Sequence, residues 1–155
     1  MKITPHLTFD GTCEEALKFY AQCLGGKIVF LMRYGESPMA KEAPKNWPAD
    51  WGNKVIHARL EAGGQSFAGA DAPPHYYYTP QGYSVTLDVD SPEEAERIFK
   101  ALSQGARAVT MSLQETFWAQ RFAMFVDRYG TPWMINCGKP QTAGASRAAH
   151  ASARS

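Results

Sequence analysis

Two stretches decide the fold: Leu7–Gly26, "LTFDGTCEEALKFYAQCLGG", and Leu87–Ala106, "LDVDSPEEAERIFKALSQGA". Each runs from an alternating segment through a polar turn into an amphipathic segment and ends in a glycine or a glycine pair. Leu7 falls on Leu87, an offset of 80, and Glu14-Glu15-Ala16 falls on Glu93-Glu94-Ala95, an offset of 79. Cys13–Leu24 carries apolar residues at 16, 17, 19, 20, 23 and 24, the spacing of one helix face. Thr12 with Glu15 predicts a capping box, and Gly25-Gly26 the stop. In the second copy Ser91 predicts the N-cap, with Pro92 in the first turn and Gly105 as the stop.

The rest of the chain extends the match. "ITPHLTF", "KIVFLMRYG", "VIHARLEAGG" and "QSFAGAD" read as strands around the first helix. "YSVTLDVD", "ARAVTMSL", "RFAMFVDRYG" and "TPWMINC" read as strands around the second. The order is βαβββ twice, so the chain reads as a duplication. Module one spans 1–72 and module two 82–138, within a single unit of 1–139. Between them, Tyr76-Tyr77-Tyr78 is expected to pack as a linker. Residues 140–155 are Ala/Ser-rich without large apolar side chains and are expected to be disordered. Glu36–Asn53, with three prolines and two tryptophans, reads as a long loop docked on the body, a length often used for lids.

Composition narrows the function. The chain has 155 residues, 45% hydrophobic and 20% charged, with a net charge of +1. That is an ordinary globular balance, without the basic stripe that would point to nucleic acid or an anionic membrane. There is no 18-residue apolar run and no apolar leader at the start. Cys13, Cys23 and Cys137 form an odd, widely spaced set without CxxC, which predicts reduced thiols and a cytoplasmic setting. No glycine-rich nucleotide loop follows a strand, and no cofactor is expected.

The segments "FDGTCEEALKFYAQCLGG", "VIHARLEAGG", "SLQETFWAQRF" and "DRYGTPWMIN" resemble the vicinal oxygen chelate superfamily of glyoxalases, extradiol dioxygenases and bleomycin resistance proteins. Within it the chain is similar to the PhnB-like group, sometimes labelled demethylubiquinone methyltransferase-like. The resemblance implies an α+β fold: two curved mixed sheets around a concave pocket, helices on the convex side, and a homodimer. It also implies a divalent metal held by the first and last strands of each module, at positions that fall here on Thr4, Ala68, Ser84 and Met134. None of these is a histidine or carboxylate, so the usual metal site is not expected.

Strand phase assigns the faces. In a strand, successive side chains point to opposite sides. Leu7 and Phe9 should pack on the helix, turning His6 and Thr8 inward; Val85 and Leu87 should do the same, turning Thr86 inward. His57 and Arg59, Ser66, Met134 and Asn136 join the inward set, while Trp133, Ile135 and Cys137 join the core. Phe122, Met124 and Val126 are expected on the core face of their strand. Glu115, Phe117 and Trp118 precede that strand, with the two aromatics as candidates for a pocket mouth or dimer interface. The expected ligand-binding set is therefore His6, Thr8, His57, Arg59, Thr86, Glu115, Phe117, Trp118, Met134 and Asn136, and the expected ligand a small polar or anionic molecule. The alternative is a metal-dependent lyase, isomerase or dioxygenase with a displaced site at His6, His57 and Glu115. Cys13, near a helix start but beside Glu14 and Glu15, is expected to be an ordinary thiol.

Overall fold

The protein was analysed as a computed structural model, which describes residues 1–42 and 47–140. The expected tail lies, from residue 141 on, outside the described residues, as do positions 43–46 of the long loop.

Two similar modules follow one another. The first contains β1 (His6–Phe9), α1 (Cys13–Leu24), β2 (Lys27–Arg33), β3 (Val55–Ala62) and β4 (Gln65–Asp71). The second contains β5 (Val85–Asp88), α2 (Pro92–Leu102), β6 (Ala108–Gln114), β7 (Ala119–Val126) and β8 (Pro132–Gly138). Each forms a four-stranded mixed sheet, ordered β1-β4-β3-β2 and β5-β8-β7-β6. β1 runs parallel to β4 and β5 to β8, and the remaining pairs are antiparallel. This is the tandem βαβββ arrangement read from the sequence. The expected strands "ITPHLTF" and "YSVTLDVD" shrink at their ends, so Thr4 and Ser84 lie just before β1 and β5.

The helices form for different reasons. α2 has the expected cap: Ser91 Oγ accepts from the Glu94 amide at 3.2 Å, with Pro92 in the first turn. α1 departs from its prediction, because the Thr12 side chain makes no capping bond. The acceptor comes from the end of β4 instead. Asp71 Oδ1 accepts the Gly11 and Cys13 amides at 3.0 and 2.9 Å, and its Oδ2 accepts the Val55 amide at 2.9 Å. One buried carboxylate thus ties the start of α1 to the start of β3. Gly25, at φ 66°, closes α1 in the left-handed conformation that glycine adopts at least cost.

Residues of both modules share one buried cluster. It includes Leu7, Phe9, Leu17, Tyr20 and Leu60 from the first module and Ile98, Phe125, Trp133 and Ile135 from the second. Their junction centres on Asp127, which is fully buried. Its Oδ2 accepts from the Tyr20 hydroxyl at 2.5 Å and from Trp133 Nε1 at 2.7 Å. Its Oδ1 accepts the Tyr129 and Thr131 amides at 2.8 and 3.0 Å. The Thr131 hydroxyl lies 2.8 Å from the Tyr20 oxygen. Burial, and then the adjacent Asp127 carboxylate, push the Tyr20 phenol far above its ordinary pKa, so it stays a donor.

Two readings of this region are corrected. On β7, Ala123 and Phe125 face the core, and the expected set of Phe122, Met124 and Val126 does not. Ala123 pairs with Ile135 and Phe125 with Trp133, both core residues of β8, while Phe122 and Met124 pair with Asn136 and Met134 on the other face. Both alternating sets are apolar, so period alone leaves the face undecided. Tyr76 and Tyr78 are 71% and 82% exposed and do not pack as a linker; Tyr77 is half-buried. The long loop docks as expected where it is described. Trp51 is buried, and Trp47 meets the Tyr34 ring edge-on at 5.2 Å. The Tyr34 hydroxyl in turn donates to the Asp71 carbonyl at 2.7 Å.

Two predictions follow from these carboxylates. Asp127→Asn puts an amide donor where only acceptors satisfy the junction, and should lower unfolding free energy by about 1–3 kcal/mol. Tyr20→Phe should overlap with it in a double-mutant cycle read by urea denaturation; strictly additive losses would mean that the pair is not coupled. Burial raises the Asp71 pKa above its free value of 3.8, against the pull of the Val55, Cys13 and Gly11 amides and Lys54. The folded chain therefore holds this proton longer than the unfolded chain does. The stability it contributes is full below pH 3.8 and is lost as pH rises through the raised value. Urea midpoints measured across that window should show a steeper decline with pH for the native chain than for Asp71→Asn.

Candidate functional site

The helices cover one face of each sheet. Gly69 marks that side of β4, since a Cβ there would lie 3.3 Å from Cys13 Sγ. Its neighbours Ala68 and Ala70 therefore point the other way, to the open face. The register then builds two rows across the first sheet. His6 pairs with Ala68, Ala68 with Arg59, and Arg59 with Phe30. Thr8 pairs with Ala70, and His57, one residue from the Ala58–Gly69 pair, stands beside Ala70 and pairs with Met32. His6, Thr8, His57 and Arg59 thus share the open face as predicted.

The two alanines matter because they are short. With no bulk on β4, the rings of His6 and His57 approach across it, their centroids 6.4 Å apart and their planes at 22°. Phe30 packs against the far side of His57 at 5.6 Å. Partial desolvation, and then repulsion from His57, hold the His6 pKa below its ordinary 6.5, although the side chain keeps contact with water. Arg59 Nη2 lies 3.9 Å from Glu61 Oε1, a loose, half-exposed contact.

The open face of the second sheet has a different chemistry. Thr86 pairs with Met134 and Asp88 with Asn136; Met134 pairs with Met124 and Asn136 with Phe122. Asn136 Nδ2 donates to Asp88 at 3.1 Å, leaving its buried Oδ1 without a partner. Trp118 rests on Phe122 at 5.2 Å and Phe117 on Trp118 at 4.7 Å. Thr116 and Ala119 close the turn that presents these two rings. Phe117 is 88% exposed and Trp118 44%. Phe122, buried beside Trp118, and Met124 form the apolar half of this face, which alternation alone does not reveal because both sets of β7 side chains are apolar.

Of the predicted residues, Glu115 stands apart from the histidines. Its carboxylate pairs with Lys139 at 3.2 Å. Among the described residues no group of three or more His, Cys, Asp or Glu side chains stands close enough to hold a metal. Of the four positions implied for a metal, Thr4 and Ser84 lie just before β1 and β5, and the register partners of Ala68 and Met134 are His6 and Thr86. Thr4, Ala68, Ser84 and Met134 include no histidine or carboxylate, so the residues at these positions do not fit a divalent metal.

Other clefts lie away from these faces. One of about 560 Å³ runs between α1 and Arg128–Tyr129, where the Arg128 guanidinium caps the Phe19 ring at 4.4 Å. Another of about 350 Å³ lies inside the long loop at Tyr34, Trp47 and Trp51.

Comparison with known proteins adds kinship. The sequence model of the family described as 3-demethylubiquinone-9 3-methyltransferase matches residues 1–136. Protein YjdN of Escherichia coli (strain K12) is 32% identical over 145 residues, covering 91% of this chain and 98% of that protein. The crystal structure of protein PA1353 from Pseudomonas aeruginosa superposes with a TM-score of 0.78 at 43% identity, covering 90% of this chain and 99% of that one. A PhnB protein from Bacillus cereus, described as a putative 3-demethylubiquinone-9 3-methyltransferase, gives 0.71 at 28% identity, covering 89% and 100%. A glyoxylase/bleomycin resistance protein/dioxygenase domain from Frankia sp. EAN1pec shares the fold at 0.62 and 16% identity, covering 90% and 98%.

The thiols have a clear expectation. Cys13, Cys23 and Cys137 are at most 4% exposed, and burial pushes the Cys13 thiol well above its ordinary pKa, helped by Asp71 and Glu14. A disulfide-exchange reagent should modify none of the three in the native chain and all three in denaturant; fast native reaction at Cys13 would contradict its placement.

Proposed function

The chain belongs to the PhnB-like family whose sequence model spans its residues 1–136, with the fold of glyoxalase and bleomycin resistance proteins, and on that premise we propose that it is a small-molecule-binding protein. The observation that carries this reading is the open face of the first sheet. Two imidazoles and a guanidinium stand together over Ala68 and Ala70, where no helix covers them. All three side chains are exposed and hydrated, and a polar or anionic ligand would replace that water with matched partners.

The ligand is held between two unlike faces. His6, Thr8, His57 and Arg59 supply the polar side. Thr86, Met134, Asn136, Phe122 and Met124 supply the softer side. In our reading a homodimer brings one copy's first face to its partner's second, with Phe117 and Trp118 at the rim. The exposure of Phe30, Phe117 and Trp118 supports an interface of this kind. The unpaired cysteines support a cytoplasmic setting. The activity in the family's description is not carried over to this chain, whose sequence has no glycine-rich nucleotide loop after a strand.

The His6–His57 pair also favours a second reading, a metal-dependent lyase, isomerase or dioxygenase. A third donor would then have to come from outside the pair, such as Glu115 of a second copy.

A thermal-shift screen with small metabolites and divalent metals separates the two. Binding should raise the melting temperature in proportion to ligand excess, and His6→Ala or Arg59→Ala should cut the response. Size-exclusion chromatography should show a dimer. Stoichiometric metal in the purified protein, lost in His6→Ala and His57→Ala, would replace the binding reading with the enzymatic one.

A further inference from the structure

The open face of the first sheet has a definite shape. Ala68 and Ala70 form a floor one strand wide. His6 and Thr8 on β1 wall one side, and Arg59 and His57 on β3 wall the other. The walls carry two imidazoles, a guanidinium and a hydroxyl, which can all donate when the imidazoles are protonated. Glu61 lies 3.9 Å from Arg59 at one end of the trough, and Asp10 follows Thr8 by two residues just past β1 at the other, while the Asp71 carboxylate is tied to the Gly11, Cys13 and Val55 amides. β4 contributes no charge to this face between Ser66 and Ala70, and β2 contributes Phe30 and Met32, with Lys27 at its end beside Glu61.

We propose that this trough seats the oxyanion group of the ligand, a carboxylate or phosphate, and that seating it draws a proton onto the His6–His57 pair. The proposal rests on the reading that this face binds a small molecule, and it names the ligand's chemical class. An anion between the walls accepts from Arg59 and Thr8 and reverses the electrostatic balance at the imidazoles. With the ring centroids 6.4 Å apart, a charge on one imidazole disfavours a charge on the other, and an anion seated beside the rings offsets that repulsion and favours a proton on the pair. Arg59 would exchange a loose contact with Glu61 for a charge-assisted bond to the ligand. Phe30, tilted against His57 with the ring centroids 5.6 Å apart, adds an apolar surface on that flank.

The test uses the full chain with acetate in one arm and inorganic phosphate in the other, against chloride at matched ionic strength. Imidazole carbon–proton signals of His6 and His57 are followed by NMR through a pH titration. Acetate, phosphate or both should raise the apparent pKa of the pair by about one unit over chloride. The arm that responds identifies the oxyanion source. Arg59→Gln should weaken the responding anion about tenfold, and Ala70→Leu should abolish the response by filling the floor. The Trp133 indole signal reports that each variant remains folded. Equal titrations in all three salts, or a response unchanged in both variants, would overturn the proposal. Metabolites that shift the Met124 and Met134 methyl signals while neither anion moves the histidines would also overturn it, yet leave the binding function standing. If no metabolite moves signals on either sheet, the binding reading itself fails.

Discussion

The Asp127 carboxylate is the interaction on which the arrangement depends. It accepts four hydrogen bonds, two from amides of its own turn, one from the Trp133 indole and one from Tyr20 of the other module. A buried carboxylate is unfavourable unless its lone pairs are filled, and here the donors come from both repeats. The Tyr20 ring meets Trp133 edge-on at 5.2 Å and tilts toward Phe67 at 6.2 Å, so the same residue joins the polar and the apolar halves of the junction. The duplicated modules are therefore joined by an interaction that only one copy provides. Phe99, which takes the place of Tyr20 in the second repeat, lacks the hydroxyl and packs instead against Phe125.

That asymmetry continues through the two modules. The first is closed by Asp71, which caps α1 from the end of the neighbouring strand β4 and anchors β3. The second is capped locally by Ser91. The long loop occurs only in the first module and docks beside Asp71 through Tyr34. These elements fix the strands of the first sheet, and the position of Ala68 and Ala70 between His6 and His57 follows from that register. The geometry of the proposed site is therefore set by core residues on the opposite face of the same strands.

Much of this was legible in the sequence, because duplication makes each repeat a check on the other. Element order, both helices and the phases of β1, β3, β5 and β8 follow from apolar alternation. Three features were not legible, each for a physical reason. On β7 both alternating sets are apolar, because the β7 part of the second sheet's open face is itself apolar, and only the pairing of Ala123 with Ile135 decides the phase. At α1 the local capping signal of Thr12 loses to Asp71, 58 residues away along the chain from Cys13. The neighbour of Ala68 proves to be His6, a fact of register between strands that a single strand's pattern does not contain.

The β7 correction changes the chemistry assigned to the two faces. With Met124 turned to the open face and Phe122 buried beside Trp118, the second sheet offers thioethers edged by an indole, where the first offers imidazole, guanidinium and hydroxyl groups. Thioether side chains are flexible and adapt to irregular apolar shapes, whereas Arg59 and the paired imidazoles impose charge and direction. A ligand satisfying both would carry an anionic end and an apolar body. Neither face alone meets those needs, because an anion gains little from Met134 and an apolar ring gains little from Arg59 in water. This complementarity, more than the fold shared with distant relatives, favours a site assembled from both sheets.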